Sequence, residues 1–282
     1  MMSISGTASF LLALSLLFTT ITAATTTKGL ALGSEPLAQS DLAKLVEPGS
    51  PVKWYYTWSL YPNNYLKSNK GNVKFFPLVN PNEANSKLAS TLNGLRAGSD
   101  HLLTFNEPDI PAANGGNPIE PAKAAQLYID HIVPLREKGW KISHPVVSGS
   151  PQGRAWLKSF REACQARKPG TGCAQDFVSV HFYGSLDGLK DHLDQLRSFY
   201  NPTANGLKFY ITEIGYPGAS ESENLKLIKG ATPYLDGLSW VEGYAWFGSF
   251  RQRDANGWTG PGLALFNNNG DLTTVGKYYV NK

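Results

Sequence analysis

The sequence has few charged residues and no long run of charge of one sign. Only 17% of its 282 residues are Asp, Glu, Lys or Arg, and the formal net charge is +4. An average domain has about 25% charged residues. Lysine and arginine do not cluster in a way that would follow a phosphate backbone, so we do not expect a nucleic-acid partner. The surface must depend on neutral polar side chains, which favours neutral polar ligands.

Long hydrophobic runs are missing after the N-terminus. The one marked apolar stretch, FLLALSLLFTTI, is too short to cross a bilayer and is followed by small residues. This pattern predicts a secretory signal peptide over residues 1–24, with an uncleaved anchor as the alternative. We therefore expect a secreted protein, extracellular or in the cell wall and not in a membrane, whose mature part is residues 25–282.

Cysteine and histidine are too sparse for a recognisable metal site. The two cysteines, Cys164 and Cys173, lie close together in CQARKPGTGC. In an oxidising compartment this spacing predicts a short-loop disulfide. The five histidines are scattered, with no His-x-His at the first strand, and no GxGxxG turn is present. We therefore expect no metal and no cofactor, which disfavours a metal-dependent barrel hydrolase.

Eight short apolar or aromatic runs divide the chain, and amphipathic helical patterns separate several of them. The runs are 29–33, 52–58, 73–80, 101–106, 141–149, 177–184, 207–216 and 241–250. Helices are predicted at 82–97, 121–138, 155–167, 186–200 and 222–238. Strands that alternate with helices indicate a parallel sheet, and about 250 residues is the usual size of a closed (β/α)8 barrel. The sequence thus predicts an α/β fold: a single-domain, monomeric (β/α)8 TIM barrel.

Polar residues at the carboxyl ends of these runs mark the predicted mouth of the barrel, where active sites of this fold lie. Strand alternation places Ser179 and His181 on the inward face, and it predicts that Glu213 points inward with Phe209 and Ile211. The polar residues and the one indole collected at the mouth are Asn80, Asn106, Glu107, Ser148, His181, Tyr183, Glu213 and Trp246.

Two carboxylates follow otherwise apolar strands, Glu107 in LLTFNEP and Glu213 in FYITEIGYP. An unpaired carboxylate in a barrel mouth is costly to desolvate, and neither strand has a basic neighbour close in sequence. Two ordinary solvent-exposed acids are the alternative. Cleavage of a glycoside needs such a pair, with one carboxyl protonated and the other ionised. Mutual repulsion and burial raise the pKa of one member, and we assign the raised pKa to Glu107 and the ionised form to Glu213.

Four motifs in order, LTFNEPD, VSVHFYG, FYITEIGYP and YAWFGSF, resemble glycoside hydrolase family 128. This family comprises fungal cell-wall-associated glycosyl hydrolases that include endo-β-1,3-glucanases. The resemblance covers essentially all of the mature chain. It implies a retaining, endo-acting enzyme that cleaves β-1,3-glucan polysaccharide or oligosaccharide by double displacement, with Glu107 as acid/base and Glu213 as nucleophile.

The same resemblance implies roles for neighbouring side chains. Asn106 is expected to bind the sugar 2-hydroxyl, and Tyr183 to donate its hydroxyl to Glu213. His181 is expected to contact either carboxylate, and Trp246 to form the platform under the reacting sugar. For each of these residues a structural role is the alternative: a turn for Asn106 and a place in the interior for the other three. Further candidates for substrate binding are Asn80, Trp58, Tyr61 and Trp258.

Two alternatives to a β-1,3-glucanase stay open. One is a catalytically inactive glucan-binding wall protein on the same fold. The other is a glycosidase for a different β-linked polysaccharide such as mannan or a chitin-derived polymer. The choice between attack within a chain and from its end depends on loops 109–120 and 250–262, whose conformation does not follow from the sequence.

Overall fold

The structure is a computed structural model that describes residues 26–33, 37–68, 72–95 and 99–281. The predicted signal peptide lies outside the described residues. Within the described ranges, no helix has the length and apolar character needed to cross a membrane.

Nine parallel strands form one sheet in the described part of the chain. They are β1 Thr27–Ala31, β2 Val52–Tyr56, β3 Lys74–Phe75, β4 Leu78–Val79, β5 His101–Asn106, β6 Lys141–Val146, β7 Phe177–Tyr183, β8 Lys208–Gly215 and β9 Val241–Trp246. The helices are α1 Gln39–Val46, α2 Leu88–Leu95, α3 Pro121–Leu127, α4 Pro151–Arg167, α5 Leu186–Tyr200, α6 Pro202–Asn205, α7 Glu221–Asp236 and α8 Thr274–Tyr279. The strand order is β3-β2-β1-β9-β8-β7-β6-β5-β4.

The two ends of this order, β3 and β4, are halves of one bent segment. The bend falls at Phe76 and Pro77, because proline has no N–H to donate to a neighbouring strand. Hydrogen bonding continues through it: Phe76 N donates to Tyr55 O, and Leu103 N donates to Pro77 O. The sheet therefore closes on itself with eight strand positions, and the predicted single-domain (β/α)8 barrel is confirmed.

The helices follow the predicted segments with shifted ends. α2 starts at Leu88, later than predicted, because the residues before it form turns. α3 ends at Leu127 and continues as a π segment, Tyr128–Ile132, and a 3-10 segment, Val133–Lys138. Pro134 lies in the latter and cannot supply the helical N–H, which accounts for the altered winding. α4 begins earlier than predicted, at Pro151, where the Ser150 side chain accepts from Gly153 N.

Two layers of apolar side chains hold the barrel. The outer layer fills the space between strands and helices, and the inner layer fills the lower barrel interior. Trp54 is the largest member of the inner layer and stacks on Phe76 with ring centroids 5.1 Å apart. Gly29 and Gly243 make room for the Trp54 indole, since a Cβ at Gly29 would lie 2.3 Å from it. Because the inner layer fills the interior toward the amino ends of the strands, a site can form at the carboxyl ends, which we call the mouth of the barrel.

The inward face of β8 is not the one that simple alternation predicts. Tyr210 belongs to the inner layer, whereas Phe209 and Ile211 belong to the outer layer against the helices. The β7–β8 register shifts between the pairs Val180–Ile211 and His181–Glu213. This bulge at Thr212 reverses the alternation and turns Glu213 into the barrel. Glu213 thus points inward, as predicted. The prediction that Phe209 and Ile211 share its face was wrong.

Candidate active site

The first carboxylate, Glu107, follows a strand with an irregular end. The β5–β6 register shifts on both sides of Thr104, and Phe105 and Glu107 each have a φ of 39°. A positive φ is unfavourable for residues other than glycine, and such strain concentrates at functional sites. The distortion sends Phe105 into the outer layer, although Leu103 lies in the inner layer. It also leaves the Glu107 side chain at the mouth, where it is 15% exposed.

The second carboxylate, Glu213, is buried and surrounded by hydrogen-bond donors. Its Oε1 accepts from the Tyr56 hydroxyl at 2.7 Å and from Trp58 Nε1 at 2.9 Å. Its Oε2 accepts from the Tyr183 hydroxyl at 2.5 Å and lies 3.3 Å from His181 Nδ1. Hydrogen bonds of this type favour the ionised form of a carboxyl and fix its orientation. The arrangement suits an anion that must be aimed at one point.

His181 connects the two carboxylates. Its Nδ1 lies 3.1 Å from Glu107 Oε1, and its ring is fully buried. One ligand atom from each of Glu107, His181 and Glu213 can be chosen so that all three lie within 4.8 Å of one another. Both carboxyl groups therefore face the same small space at the barrel mouth.

The electrostatics of this cluster differ from the sequence-based assignment. Burial raises the pKa of Glu213 above its ordinary value, and the charge of Glu107 adds to this. The charge of His181 and the hydrogen bonds from Tyr183 and Tyr56 act in the opposite direction without cancelling it. The raised pKa of Glu213, which we had assigned the ionised form, follows from its deep burial. The raised pKa that we assigned to Glu107 stays a prediction.

The other titratable groups of the cluster remain proton donors. Burial lowers the pKa of His181, but the charges of Glu213 and Glu107 and the Glu107 hydrogen bond outweigh burial and raise that pKa overall. Burial and the Glu213 charge raise the pKa of both Tyr56 and Tyr183 well above its usual range. The two phenols therefore keep their protons and donate them to Glu213 in hydrogen bonds at all ordinary pH values.

The spacing of Glu107, His181 and Glu213 would also suit a divalent cation. However, each Glu213 oxygen already accepts from an O–H group, and Oε1 also accepts from an indole N–H. Such donors compete with a metal ion for the same lone pairs. The chemistry of the donor set therefore fits an organic ligand better than a metal.

Two asparagines lie at the carboxyl ends of neighbouring strands, Asn80 after β4 and Asn106 at the end of β5. Asn106 Nδ2 donates to Gly115 O at 3.4 Å, and Asn80 Nδ2 donates to Trp58 O at 3.3 Å. Their Oδ1 atoms are buried and have no hydrogen-bond partner among the described residues. The structure thus places both predicted asparagines at the barrel mouth, with Asn106 holding the loop that follows Glu107.

The predicted sugar platform, Trp246, needs correction. Its ring is 2% exposed, belongs to the outer layer and donates from Nε1 to Leu263 O at 2.9 Å. A ring in that position presents no face to a sugar. Alternation along β9 explains the error, because Ala245 faces the barrel interior and Trp246 faces the helices. The aromatic ring that follows β9 into the mouth is that of Phe247, which contacts Tyr183 at a centroid distance of 5.5 Å.

The remaining aromatic candidates lie at the mouth in different ways. Trp58 has a φ of 51°, and its indole donates to Glu213 and packs edge-on against Phe247. Trp258 is 55% exposed and packs edge-on against Tyr183 at 4.9 Å. Tyr61 is 59% exposed on the loop after β2. A row of rings, Trp58, Phe247, Tyr183 and Trp258, therefore lines the mouth beside Glu213.

Sequence reasoning missed three residues of the site. Tyr56 ends β2 and contacts Glu213, and Phe247 follows β9. Asp109 accepts from Ser148 N at 3.0 Å and from Ser148 Oγ at 2.5 Å, and its charge helps to raise the pKa of His181. Alternation within β2 could have identified Tyr56, since it shares parity with Trp54 in the interior. Nothing local to the sequence pairs Asp109 with Ser148.

The two cysteines lie far from these residues. Cys164 is on α4, and Cys173 is on the loop that leads into β7, at the end of the barrel opposite the mouth. Both are free thiols in the structure, and their side chains are hydrogen-bonded neighbours. The disulfide is not formed in the structure and stays a prediction, which the proximity of the two thiols permits.

A parallel barrel with two neighbouring carboxylates at the carboxyl ends of its strands, here β5 and β8, is an architecture of barrel glycosidases. Comparison with known proteins agrees: the profile of the glycosyl hydrolase catalytic core family matches residues 29–279. The chain belongs to this family and, within it, to glycoside hydrolase family 128. The family expected from the four motifs is thereby confirmed.

A curated relative and several solved structures support this placement. Alkali-sensitive linkage protein 1 of Schizosaccharomyces pombe is 32% identical over 238 residues, which are 81% of this chain but 40% of that protein. The chain thus spans less than half the length of that relative. An endo-β-1,3-glucanase from Lentinula edodes is 25% identical with a TM-score of 0.71, covering 90% of this chain and 98% of that one.

Other members of the fold differ in activity. A curdlan-specific exo-β-1,3-glucanase from Blastomyces gilchristii, in complex with glucose, is 27% identical with a TM-score of 0.69 over 91% of this chain and 98% of that one. An oligosaccharide-binding protein from Trichoderma gamsii shares the fold at 20% identity and a TM-score of 0.66, over 91% and 93% of the two chains. Family membership therefore does not by itself decide between hydrolysis and binding.

Proposed function

We propose that this chain is a retaining, endo-acting β-1,3-glucanase with Glu213 as nucleophile and Glu107 as acid/base. The observation that carries the proposal is the close approach of the two carboxyl groups, with ligand atoms within 4.8 Å. Retaining glycosidases have carboxyl groups about 5–5.5 Å apart, whereas inverting enzymes need about 6.5–9.5 Å to fit a water between them. The short separation supports direct attack by a carboxylate.

The hydrogen bonds divide the two roles between the two carboxyls. Glu213 receives donors on both oxygens, which orient it and stabilise its negative charge. Glu107 is more exposed and has, among the described residues, a single protein contact of this kind, to His181. A fixed anion suits nucleophilic attack, and a carboxyl with a free oxygen at the mouth suits proton exchange with a leaving group and with water.

The reaction then proceeds in two balanced steps. Glu213 attacks the anomeric carbon while Glu107 gives its proton to the departing glycosidic oxygen, which leaves a glycosyl ester on Glu213. A water then attacks the same carbon, Glu107 takes its proton, and the ester bond to Glu213 breaks. Two inversions give net retention, and both carboxyls return to their starting protonation states.

The substrate class rests on the relatives. The Lentinula edodes and Blastomyces gilchristii neighbours are described as β-1,3-glucanases, one endo-acting and one exo-acting. The aromatic rings at the mouth suit the apolar faces of pyranose rings. Secretion and a place in or near the cell wall are part of the proposal and rest on the predicted signal peptide. We also propose that the protein is a monomer, since the two carboxyl groups and the donors around Glu213 all come from one chain.

A sugar-binding protein without catalysis is the second candidate, because the Trichoderma gamsii neighbour is described as an oligosaccharide-binding protein. The two carboxylates and the donors around Glu213 favour hydrolysis, since binding alone does not need a buried anion. Digestion of laminarin, mixed-linkage glucan, mannan and chitin oligosaccharides separates the two candidates. NMR of the first product tests the mechanism.

We expect cleavage of β-1,3-linkages with the β-anomer formed first and with products of several lengths. An α-anomer would contradict retention, and release of a single small product would contradict endo action. Folded protein that cleaves none of the four polymers would leave the sugar-binding candidate.

A further inference from the structure

The segment after Glu107 folds back over the main chain of this residue. Glu107 N donates to Val146 O at 2.8 Å, which ties the residue to the end of β6. Glu107 O accepts from Ile110 N at 3.0 Å and from Asn117 N at 3.3 Å. Gly116 permits this close return, because a Cβ at that position would lie 2.6 Å from Glu107 O. The main chain of the acid/base is thus enclosed between β6 and its own loop.

The enclosure holds a conformation that Glu107 does not favour by itself. Its φ is 39°, in the left-handed region, and a residue with a side chain persists there only when its surroundings fix it. The side chain leaves directly from this residue, so a small relaxation of the turn would move the carboxyl at the mouth. A misplacement of about 1 Å can slow a reaction about a hundredfold. The contacts that hold the turn therefore bear on proton transfer.

The side chain of Asp109 fastens this turn to the next crossover. Two residues after Glu107, it accepts from Ser148 N at 3.0 Å and from Ser148 Oγ at 2.5 Å. Ser148 Oγ also lies 2.8 Å from Ser150 Oγ, and Ser150 caps α4 by accepting from Gly153 N at 3.0 Å. A negative charge is favourable near the N-terminus of a helix, and α4 has 17 residues. The Asp109 carboxylate is therefore anchored to a long and capped helix.

The contact between the loop and α4 is close and has a second point. A Cβ at Gly153 would lie 3.0 Å from Asp109 Oδ2, so a side chain there would crowd the carboxylate. At the other end of the loop, Trp156 Nε1 donates to Ile119 O at 2.9 Å. α4 thus holds residues 108–119 at both ends, and Asp109 is the attachment nearer to the acid/base along the chain.

Position and charge are two separate contributions of Asp109. Burial lowers the pKa of His181, and the charge of Asp109 is among those that raise it. The hydrogen bonds of Asp109 hold the loop. Asparagine removes the charge but keeps an oxygen for Ser148 N and offers an N–H group to Ser148 Oγ, because a serine hydroxyl can also accept. Alanine removes the charge and both hydrogen bonds, so the two substitutions separate the contributions.

We propose that Asp109 is a positioning residue for the acid/base, whose hydrogen bonds to Ser148 hold the turn at Glu107 and aim its carboxyl at the leaving oxygen. The inference rests on the proposed function for the role of Glu107. A turn that relaxes moves the general acid away from the leaving oxygen. Loss of the contact between Asp109 and Ser148 should therefore slow the cleavage of those bonds whose leaving group needs a proton.

The test compares laminarin with 2,4-dinitrophenyl β-laminaribioside, whose leaving group departs without a proton. For both substrates kcat/KM covers the steps up to release of the leaving group, in which Glu107 acts only as the acid. For Asp109→Ala we expect a loss of about tenfold to a hundredfold on laminarin and of less than about threefold on the dinitrophenyl glycoside. Ser148→Ala removes one of the two hydrogen bonds and should show the same selectivity with a smaller loss. It decides the case if Asp109→Ala does not fold.

Asp109→Asn is the conservative variant, and a second serine supplies the matched control. Asp109→Asn keeps both contacts with Ser148, so its kcat/KM on laminarin should lie within about threefold of that of the unmodified protein. Ser220 donates from its N at 2.8 Å and from its Oγ at 2.7 Å to the Glu223 carboxylate at the start of α7. Ser220→Ala removes a comparable contact that does not reach Glu107, and it should leave both substrates unaffected.

Three results would overturn the proposal with the glucanase intact. The first is full activity of Asp109→Ala on laminarin. The second is an equal loss on the two substrates in Asp109→Ala and Ser148→Ala that are folded by circular dichroism, because a general disturbance slows both cleavages alike. The third is an Asp109→Asn variant as impaired as Asp109→Ala, which would assign the effect to charge.

Failure of the proposed function gives a different outcome. If the unmodified protein cleaves neither substrate, nitrogen NMR of isotope-labelled histidine follows Glu107 through its contact with His181 Nδ1, and the His181→Asn variant assigns the signal. Ser148→Ala keeps the charge of Asp109, so a shifted His181 signal in this variant reports a moved carboxyl. A shift in Ser148→Ala but not in Ser220→Ala would keep the positioning role and remove the glucanase. An unshifted signal would overturn the positioning role as well.

Discussion

Substitution of Glu107 by glutamine removes proton donation and keeps the shape of the site. A glutamine side chain has nearly the same shape and can still present an oxygen to His181 Nδ1, which lies 3.1 Å from Glu107 Oε1. His181 is fully buried but keeps Glu213 Oε2 at 3.3 Å from its Nδ1, so the change leaves no buried charge without a partner. We therefore expect a folded protein that has lost the proton of the general acid and the base of the second step, and in which the Glu107 charge no longer adds to the raised pKa of Glu213.

The size of the effect follows from the two steps. General acid catalysis typically contributes about 10²–10⁴-fold, or about 3–5 kcal/mol, so turnover of laminarin should fall by that factor. A 2,4-dinitrophenyl β-laminaribioside has a leaving group that departs without a proton, so its first step should be largely retained. The second step still needs a base. The variant should therefore release a burst of dinitrophenol equal to the enzyme concentration and then slow down.

The assay is stopped-flow absorbance with and without azide, an anion that attacks the glycosyl intermediate without base assistance. We expect azide to restore the slow phase and to give a β-glycosyl azide. Glu162→Gln is the control, because Glu162 is exposed on α4 away from the mouth, and it should behave like the unmodified protein. Equal losses on laminarin and the dinitrophenyl glycoside, or the lack of a burst, would refute the assignment of Glu107.

Four further predictions follow from the site. Glu213→Gln should abolish turnover of both substrates with the melting temperature kept, and residual activity near normal would remove Glu213 as nucleophile. Tyr183→Phe removes a hydrogen bond that lowers the pKa of Glu213, so the acid limb of kcat/KM should move to higher pH; an unchanged limb would contradict this. His181 has a raised pKa, so its charged form stabilises the fold below about pH 6.5, and this stabilisation is lost as pH rises through the raised pKa. His181→Asn should consequently cost more stability in urea titrations in acid than in alkali, and a pH-independent cost would refute it. The predicted Cys164–Cys173 disulfide should form in air, and a reducing agent should then lower stability by about 2–3 kcal/mol without affecting turnover; no thiol loss in air would contradict the disulfide, and an activity loss in folded protein would contradict the remote placement.

The barrel and its two carboxylates were predictable because both depend on local patterns. Short apolar runs separated by helical periodicity require a parallel sheet, and eight such units close into a ring. Glu107 and Glu213 lie at the ends of apolar strands. Desolvating a charge there is costly, so a carboxylate in that position indicates a functional role. The prediction of these features does not depend on the exact boundaries of strands and helices.

The orientation of side chains at the mouth was decided by tertiary structure. A bulge at Thr212 turns Glu213 inward against the alternation of its strand, and the local twist at Phe105 does the same for Glu107. Neither irregularity has a marker such as glycine in the sequence. Trp246 was predicted on the wrong face of β9. The motif YAWFGSF does not show whether the side chain of Trp246 or that of Phe247 points toward the mouth.

Pairings between distant segments were likewise beyond the sequence. Tyr56 at the end of β2 and Trp58 after it reach Glu213 on β8, because the sheet curls through β1 and β9 between these two strands. The raised pKa of Glu213 depends on the burial that these neighbours create. The sequence by itself therefore determined the fold and the positions of the two carboxylates. Tertiary structure decided how these groups are aimed and charged, because that depends on distances between atoms far apart along the chain.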